Sequence, residues 1–319
     1  MYNYTLISIV IPVYNGEKTL VSLTKKIEYL CSVNNICHEV IFVEDCSLDN
    51  SWEIIQGLVK THKIVRGIKL QKNYGQHNAL LCGIRAAQGD IIVTMDDDLQ
   101  NPPEEIPRLL SKLDEGYDVV YGTPKSETHG LFRDLASKIT KLALRKAMGA
   151  DTAGNISAFR AFRTKLRDAF VQYRSPMVNI DVLLTWGTNN FVAIQVRQDK
   201  RPEGQSGYTM RKLISHAFNM MTGFTTIPLK IASLFGFFFS LFGAGVLVYV
   251  LIRYLASGTS VPGFPFLASI IAIFSGVQLF ALGIIGEYLA RMHFRTMDKP
   301  PYIINSDIQQ DFKIKNGKI

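Results

Sequence analysis

Two long stretches of this chain carry no charge. Ile231 to Ile252, IASLFGFFFSLFGAGVLVYVLI, runs 22 residues without one, and Phe264 to Gly286, FPFLASIIAIFSGVQLFALGIIG, runs 23. At about 1.5 Å per residue each can cross the ~30 Å hydrocarbon core of a bilayer. Buried helices of soluble proteins rarely run so far uncharged, so spans are expected at about residues 229–254 and 264–290. The link SGTSVPG, Ser257 to Gly263, is short and makes the pair a hairpin. Lys230 precedes the first span, and Arg291, Arg295 and Lys299 follow the second. The positive-inside rule then puts both flanks in the cytoplasm and the link outside. Arg253, near the outer end, runs against the rule and would snorkel to the interface.

The rest of the chain divides around this hairpin. Met1 to Tyr14 has no basic n-region, so no cleavable signal is expected. Residues 1–207 read as a cytoplasmic domain. Residues 208–226 read as a juxtamembrane helix, with Leu213, Ile214, Ala217, Phe218 and Met221 at helical spacing beside Arg211, Lys212 and His216. A helix packed on a soluble core fits that pattern equally well. The hairpin takes 227–292, 293–319 reads as a cytoplasmic tail, and its part after Met297 as polar and loosely ordered. Net charge is +8, and Lys125 to Arg174 alone holds eleven basic residues against four acidic ones. Next to a membrane, such a segment points to anionic lipid headgroups or phosphorylated ligands, or is an ordinary solvated face. No nucleic-acid-binding motif accompanies it, so nucleic acid is not expected as a partner. The four cysteines form no CxxC pair and should be reduced thiols.

The first 120 residues alternate between strand and helix patterns. Strands are expected at Leu6–Val13, Val40–Val43, Ile64–Leu70, Asp90–Met95 and Val119–Tyr121. Helices are expected at Glu17–Leu30, at Asn50–Lys60 with Asp49 as N-cap, at Gln76–Ala87 ended by Gly89, and at Pro103–Glu115. Near-continuously apolar strands alternating with helices imply an α/β, Rossmann-like, mainly parallel sheet covered on both faces. Ligands of such sheets bind beyond the carboxyl ends of the strands. Polar residues gather at those ends: Tyr14, Asn15 and Glu17; Glu44 and Asp45; Asn73; Asp96 and Asp98.

The run MDDDLQNPPEEIP is the most informative of these ends. If extension continues past Met95, Asp96 and Asp98 share one direction, ~7 Å apart, and Asp97 faces the other way. Such a carboxylate pair suits a hard divalent cation, Mg²⁺ or Mn²⁺, that also takes phosphate oxygens. The alternative is an acidic turn in which Asp98 caps the next helix. The EF-hand loop pattern is absent, and a glycosidase carboxylate pair suits neither a parallel sheet nor a membrane anchor.

In order and spacing, IVIPVYNGEKTL, VEDCSLDNS and MDDDLQNPPEEIP resemble the nucleotide-sugar signature of inverting GT-A glycosyltransferases. NYGQHNAL, DLQNPPEEIPRLL, DEGYDVV and the terminal hairpin resemble, more narrowly, the polyprenyl-phosphate glycosyltransferases. That group includes the dolichyl-phosphate mannose synthases and the bactoprenol glucosyltransferases, with a particular likeness here to the undecaprenyl-phosphate 4-deoxy-4-formamido-L-arabinose transferases. The resemblance covers essentially the whole chain. It implies a GT-A domain that moves a sugar from a nucleotide sugar, a UDP-sugar by preference, to polyprenyl phosphate. The setting it implies is the bacterial inner membrane, for cell-envelope glycan or lipid A modification.

By the same resemblance Pro12, Tyr14, Asn15, Glu17, Asp45, Asn73, Asp96 and Gln100 would line the nucleotide-sugar site, and Asp98 and Gln100 the metal and diphosphate. Asp96, Asp98 and, loosely, Asp151 would be catalytic. Lys125, at a position where relatives have arginine, would grip the acceptor phosphate with Arg133, Ser137 and Arg201. Membrane lipids are implied as partners, and a homotetramer as the assembly. The chain departs from the pattern twice. Asp97 replaces the small middle residue of DADLQ, and Gly207 in GQSGY replaces a lysine, which puts that loop's diphosphate contact in doubt. A processive polysaccharide synthase would carry Gln-x-x-Arg-Trp, yet neither Trp52 nor Trp186 follows an arginine. A non-catalytic membrane scaffold would not need to keep Asp45, Asp96, Asp98 and Gln100 together.

Overall fold

A computed structural model describes residues 5–124, 155–199, 227–257 and 263–310. The chain forms two compact units: residues 1–209 together with 298–319, and residues 210–297. In the first unit the order is β1 (Ile7–Val13), α1 (Leu20–Val33), β2 (His38–Glu44), α2 (Ser51–Thr61), β3 (Val65–Leu70), α3 (Gln76–Ala86) and β4 (Ile91–Thr94). A 3-10 turn (Pro103–Glu105), α4 (Ile106–Asp114), β5 (Val119–Pro124), β6 (Arg160–Arg163), α5 (Ile180–Leu184) and β7 (Phe191–Val196) follow. The second unit contributes α6 (Ile227–Ser257) and α7 (Phe264–Thr296), and β8 (Ile304–Gln309) returns to the first.

The sheet runs β7-β5-β6-β4-β1-β2-β3-β8. The β1–β2, β2–β3, β1–β4 and β5–β7 pairs are parallel, as the apolar strands imply. Every residue of β1 is buried. Its odd-numbered side chains Ile7, Ile9, Ile11 and Val13 join Leu20, Leu23 and Ile27 of α1 and Leu109 of α4 in the main core. On the opposite face Gly83 of α3 lies so close to Val10 and Val43 that a Cβ there would collide with them. Each such aliphatic side chain contributes roughly 1.5–3 kcal/mol by leaving water.

Several expectations shift for identifiable reasons. Helix α1 starts at Leu20 rather than Glu17; residues 17–19 form a turn ahead of it, and the Glu17 amide donates to Asp49 Oδ2 at 3.0 Å. The α2 N-cap is Asn50, although Asp49 Oδ1 still accepts the Ser51 amide at 3.1 Å. The first turn of the helix expected from Pro103 is 3-10: Pro107 has no N–H for the Pro103 carbonyl, and Ile106 supplies one. Gly89 is no helix cap. A Cβ there would meet Leu6 O at 2.6 Å and Ser8 N at 2.8 Å, so its role is close approach to β1.

Two strands break the parallel pattern. β6 inserts antiparallel between β4 and β5, and β8 adds antiparallel to β3. The residues after Met297 are therefore not a loose tail throughout, since Ile304–Gln309 closes one edge of the sheet. Closing an edge satisfies backbone groups that would otherwise invite another chain.

Helices α6 and α7 have 31 and 33 residues. Pro228–Arg253 and Ile273–His293 are long and apolar enough to cross a membrane. The helices pack together where Phe239 meets Phe274 edge-on at 5.9 Å between ring centres. Gly243 makes room for that ring, as a Cβ there would stand 3.0 Å from Phe274 Cζ. Glu287 and Arg291 pair one turn apart at 2.6 Å.

Candidate functional site

The carboxyl ends of β1, β2 and β4 lie on one edge, and the loops leaving them are laced together. The Asn15 amide donates to Ser47 Oγ (3.0 Å) and the Leu48 amide to Asn15 Oδ1 (2.9 Å). The Gly16 amide donates to Ser51 Oγ (2.9 Å), and Glu17 Oε2 accepts from the Asn50 amide (3.1 Å) and side chain (3.2 Å). Asn15, Cys46 and Leu99 all adopt positive φ, near 60°. Such conformations cost energy in residues other than glycine and persist when surrounding bonds over-determine them. Pro12 is buried in β1, Tyr14 is half-exposed beside it, and Leu48 is 90% exposed on the neighbouring loop.

Asp45, 3% exposed, accepts the amides of Tyr74 and Gly75, both at 2.7 Å, one on each oxygen. It therefore shapes the loop that enters α3. Burial pushes its carboxyl above the ordinary aspartate range, and the two amides oppose that rise. Asn73 is exposed on the same loop. Gln76, the first residue of α3, donates from Nε2 to Asp96 Oδ1 at 2.6 Å.

The acidic run leaves the sheet sooner than continued extension requires. β4 ends at Thr94, and the alternation of side chains stops with it. Asp98 Oδ1 accepts the Gln100 amide (3.0 Å), and the Gln100 carbonyl accepts the Asp199 amide (2.8 Å), which ties the loop to the segment after β7. Asp97 turns toward β1, against the Cα of Gly16, where a Cβ would collide with it. It accepts the Tyr14 amide, while its Oδ2 is buried with no hydrogen-bond partner. Burial first, then the charges of Asp96 and Asp98, push its carboxyl up to about 7.

That rise has a sign. Between roughly pH 4, where an unfolded aspartate titrates, and 7 the folded protein binds more protons at Asp97 than the unfolded chain does. The contribution is full below pH 4 and is lost as pH rises through 7. Asp97→Asn should match the parent near pH 4 and exceed it at pH 8 by about 1–3 kcal/mol. Melting curves across pH with a chelator present measure this; equal melting at pH 8 refutes it.

Beneath the acidic loop lies a buried charge network. Arg160 of β6, 1% exposed, pairs through Nη1 with Asp181 Oδ1 and donates from Nε to Thr94 Oγ1 at 3.0 Å. Asp181, 6% exposed, also accepts the Tyr121 hydroxyl at 3.0 Å. Neither residue was expected at the site. Each is a lone charge in an apolar setting, SAFRAF and VNIDVLL, and such charges are buried only in pairs. Gln76 was also missed, although it stands inside NYGQHNAL.

The structure thus brings Pro12, Tyr14, Asn15, Glu17, Asp45, Asn73, Asp96, Asp98 and Gln100 to one edge of the sheet. Lys125, Arg133, Ser137, Asp151, Arg201, Gly207 and the helix expected at 208–226 lie outside the described residues. All four cysteines are free, and burial lifts the Cys31 and Cys82 thiols to about 12.

Residues 8–170 match the model of glycosyl transferase family 2. The chain belongs to that family. The family 2 chain is 34% identical over 306 residues, 95% of its length and 90% of the relative's, to the undecaprenyl-phosphate 4-deoxy-4-formamido-L-arabinose transferase of Pseudomonas paraeruginosa. To the transferase of the same name from Aeromonas hydrophila it is 34% identical over 308 residues, 95% and 94% of the two chains. Among solved structures it is similar to glucosyl-3-phosphoglycerate synthase from Mycobacterium tuberculosis, crystallised with Mn²⁺, uridine diphosphate and glucosyl-3-phosphoglycerate. That likeness has a TM-score of 0.50 at 21% identity and covers 68% of this chain and 77% of the other. It is a likeness of fold, the GT-A glycosyltransferase fold with its mixed, mostly parallel sheet.

Proposed function

We propose that this protein transfers a sugar from a nucleotide sugar, UDP-linked, to the phosphate of undecaprenyl or another polyprenyl phosphate, with inversion at the anomeric carbon. The reaction runs at the cytoplasmic face of a bacterial inner membrane. Helices α6 and α7 cross that membrane, both termini stay in the cytoplasm, and the assembly is a tetramer as the resemblance implies. One observation carries the reading. In a family 2 chain followed by two long apolar helices, the acidic loop Asp96–Asp98 stands at the carboxyl edge of the sheet, bonded to α3 through Gln76. The names of the relatives support the acceptor and its polyprenyl phosphate.

A lipid monophosphate is largely dianionic at pH 7, with a second pKa near ~6. Its oxygen is thus a competent nucleophile without a strong general base. It attacks the anomeric carbon from the face opposite the nucleotide, the bond to the diphosphate oxygen breaks, and the configuration inverts. The difficulty is charge, because two anions meet and a third leaves. Asp98 offers a half-buried oxygen donor in a turn held by the Gln100 amide. Among the described residues no three His, Cys, Asp or Glu side chains gather as a closed cage. That donor set fits Mg²⁺ or Mn²⁺ held by one or two carboxylates, Asp98 with Gln100 beside it, and by ligand oxygens. When bound there, the cation neutralises the departing diphosphate. Pro12, Tyr14, Asn15, Glu17, Asp45 and Asn73 form the rim that receives the nucleotide. Lys125, Arg133, Ser137 and Arg201 grip the acceptor phosphate, and Asp151 stays with them as a candidate catalytic acid.

The test is a transfer assay with polyprenyl phosphate and a panel of nucleotide sugars, with products identified by mass spectrometry. A glycosyl phosphoryl lipid formed in the presence of Mg²⁺ or Mn²⁺ is the expected product. Metal-dependent binding of every nucleotide sugar without any lipid product refutes the acceptor. No metal-dependent binding at all favours a scaffold.

A further inference from the structure

The segment after α7 closes on one loop of the candidate site. Gln71–Gly75 joins β3 to α3, and its Tyr74 and Gly75 amides hold both oxygens of Asp45. Gly75 has φ +94°, a turn that only glycine makes without strain and that offers no side chain to anchor it. Its geometry depends on bonds from outside, and the C-terminal segment supplies them at both ends. At the loop's entry the Gln71 amide donates to Ile303 O (2.9 Å) and Asn305 Nδ2 to Gln71 Oε1 (2.7 Å). Just past its exit the side chain of Asn78, 6% exposed, donates to Pro301 O at 2.5 Å. Farther along α3, Arg85 Nη1 reaches the Tyr302 hydroxyl at 3.3 Å, with its guanidinium 5.6 Å from the ring centre. The β3–β8 pairing is pinned by a two-bond fork from Arg66 to Asp307, at 2.9 and 2.7 Å.

We infer that Pro301–Gln310 is a strap that positions the nucleotide-sugar site. It holds Gln71–Gly75 and the start of α3, and through them Asp45 and the Gln76–Asp96 contact. Asn305 and Asp307 are positioning residues that touch no substrate. The strap follows both long helices in the chain and is synthesised after them, so the site is set only once the hairpin has been made. This inference rests on the donor role proposed above for that edge of the sheet.

The test uses the full-length protein in detergent. Asp307→Arg sets two arginines against each other across the β3–β8 pair, and Arg66→Asp/Asp307→Arg restores an opposite-charge pair. Hydrogen exchange is read at the Tyr74 and Gly75 amides, and KM is measured separately for nucleotide sugar and lipid phosphate. Asp307→Arg should speed exchange at both amides and raise the donor KM about tenfold, with the acceptor KM unchanged, and the double variant should reverse both. A merely structural strand would lower the melting temperature and the active fraction without moving the donor KM. If Asp307→Arg does not fold, Asn305→Ala removes one exposed bond and should shift both readouts about twofold to threefold in the same directions. Unchanged exchange at Tyr74 and Gly75 overturns the inference, as does faster exchange with an unchanged donor KM. Wild-type protein that transfers no sugar overturns the functional reading instead, and the exchange arm still decides whether the strap holds the loop.

Discussion

Asp98→Ala is expected to lower sugar transfer by about 10³-fold or more while the protein stays folded and membrane-inserted. The two halves of that expectation have different origins. Asp98 lies in a loop outside the core, where its carboxylate accepts the Gln100 amide. Such a bond contributes about 1 kcal/mol, so melting should shift by only a few degrees. On the proposed metal role, the loss in rate would come from a diphosphate departing with no divalent cation held against it. Asp98→Asn should be nearly as inactive, since a neutral amide binds Mg²⁺ or Mn²⁺ weakly. Transfer is followed with labelled nucleotide sugar at saturating metal, and folding by melting of the purified protein. Normal turnover of Asp98→Ala with either metal sinks the assignment.

Asp181→Ala should fail in the opposite way, through the fold. It strands the guanidinium of Arg160, which is almost wholly excluded from water and held by Asp181 and Thr94. Removing one partner of a buried pair costs about 3–5 kcal/mol, because the other charge is left without compensation. For a unit of this size that lowers the melting temperature by roughly 10 °C. The Tyr121 hydroxyl loses its acceptor at the same time. The double variant Arg160→Met/Asp181→Ala removes both charges and should recover much of the loss. Thermal melting of the three proteins decides the matter: if Asp181→Ala melts with the parent, the pair contributes nothing. Asp181→Ala is also expected to lose transfer, since Thr94 is two residues from Asp96 and Arg160 bonds to its hydroxyl.

The periodicity of residues 1–120 located five strands and four helices within a few residues, because each strand is a short apolar run closed by a polar end. The same rule found Asp45, Asp96 and Asp98 at the carboxyl edge, since a parallel sheet buried on both faces has nowhere else to put them. The two long helices were legible for a simpler reason: 22 and 23 residues without a charge leave few folds open. All of these are local signals, carried by neighbours in the chain.

Non-local pairing decided the remainder. Nothing in Ile304–Gln309 says that it will lie against Arg66–Leu70, some 240 residues earlier in the chain. Its alternation is weak, and its partner strand must exist before it can pair. Likewise nothing in Arg160–Arg163 says that it will lie antiparallel between β4 and β5. The placement of Asp97 opposite Asp96 and Asp98 rests on continued extension, which the chain does not supply past Thr94. β4 ends at Thr94, opposite Val10, and past that point the Asp97 carboxylate turns to the Tyr14 amide. By itself, the sequence determined which segments are buried, which edge of the sheet is charged and which helices suit a bilayer, because hydrophobic burial reads from composition and period. Only the tertiary structure decided which charge meets which partner, because a hydrogen bond depends on distances of a few tenths of an ångström between residues far apart in the chain.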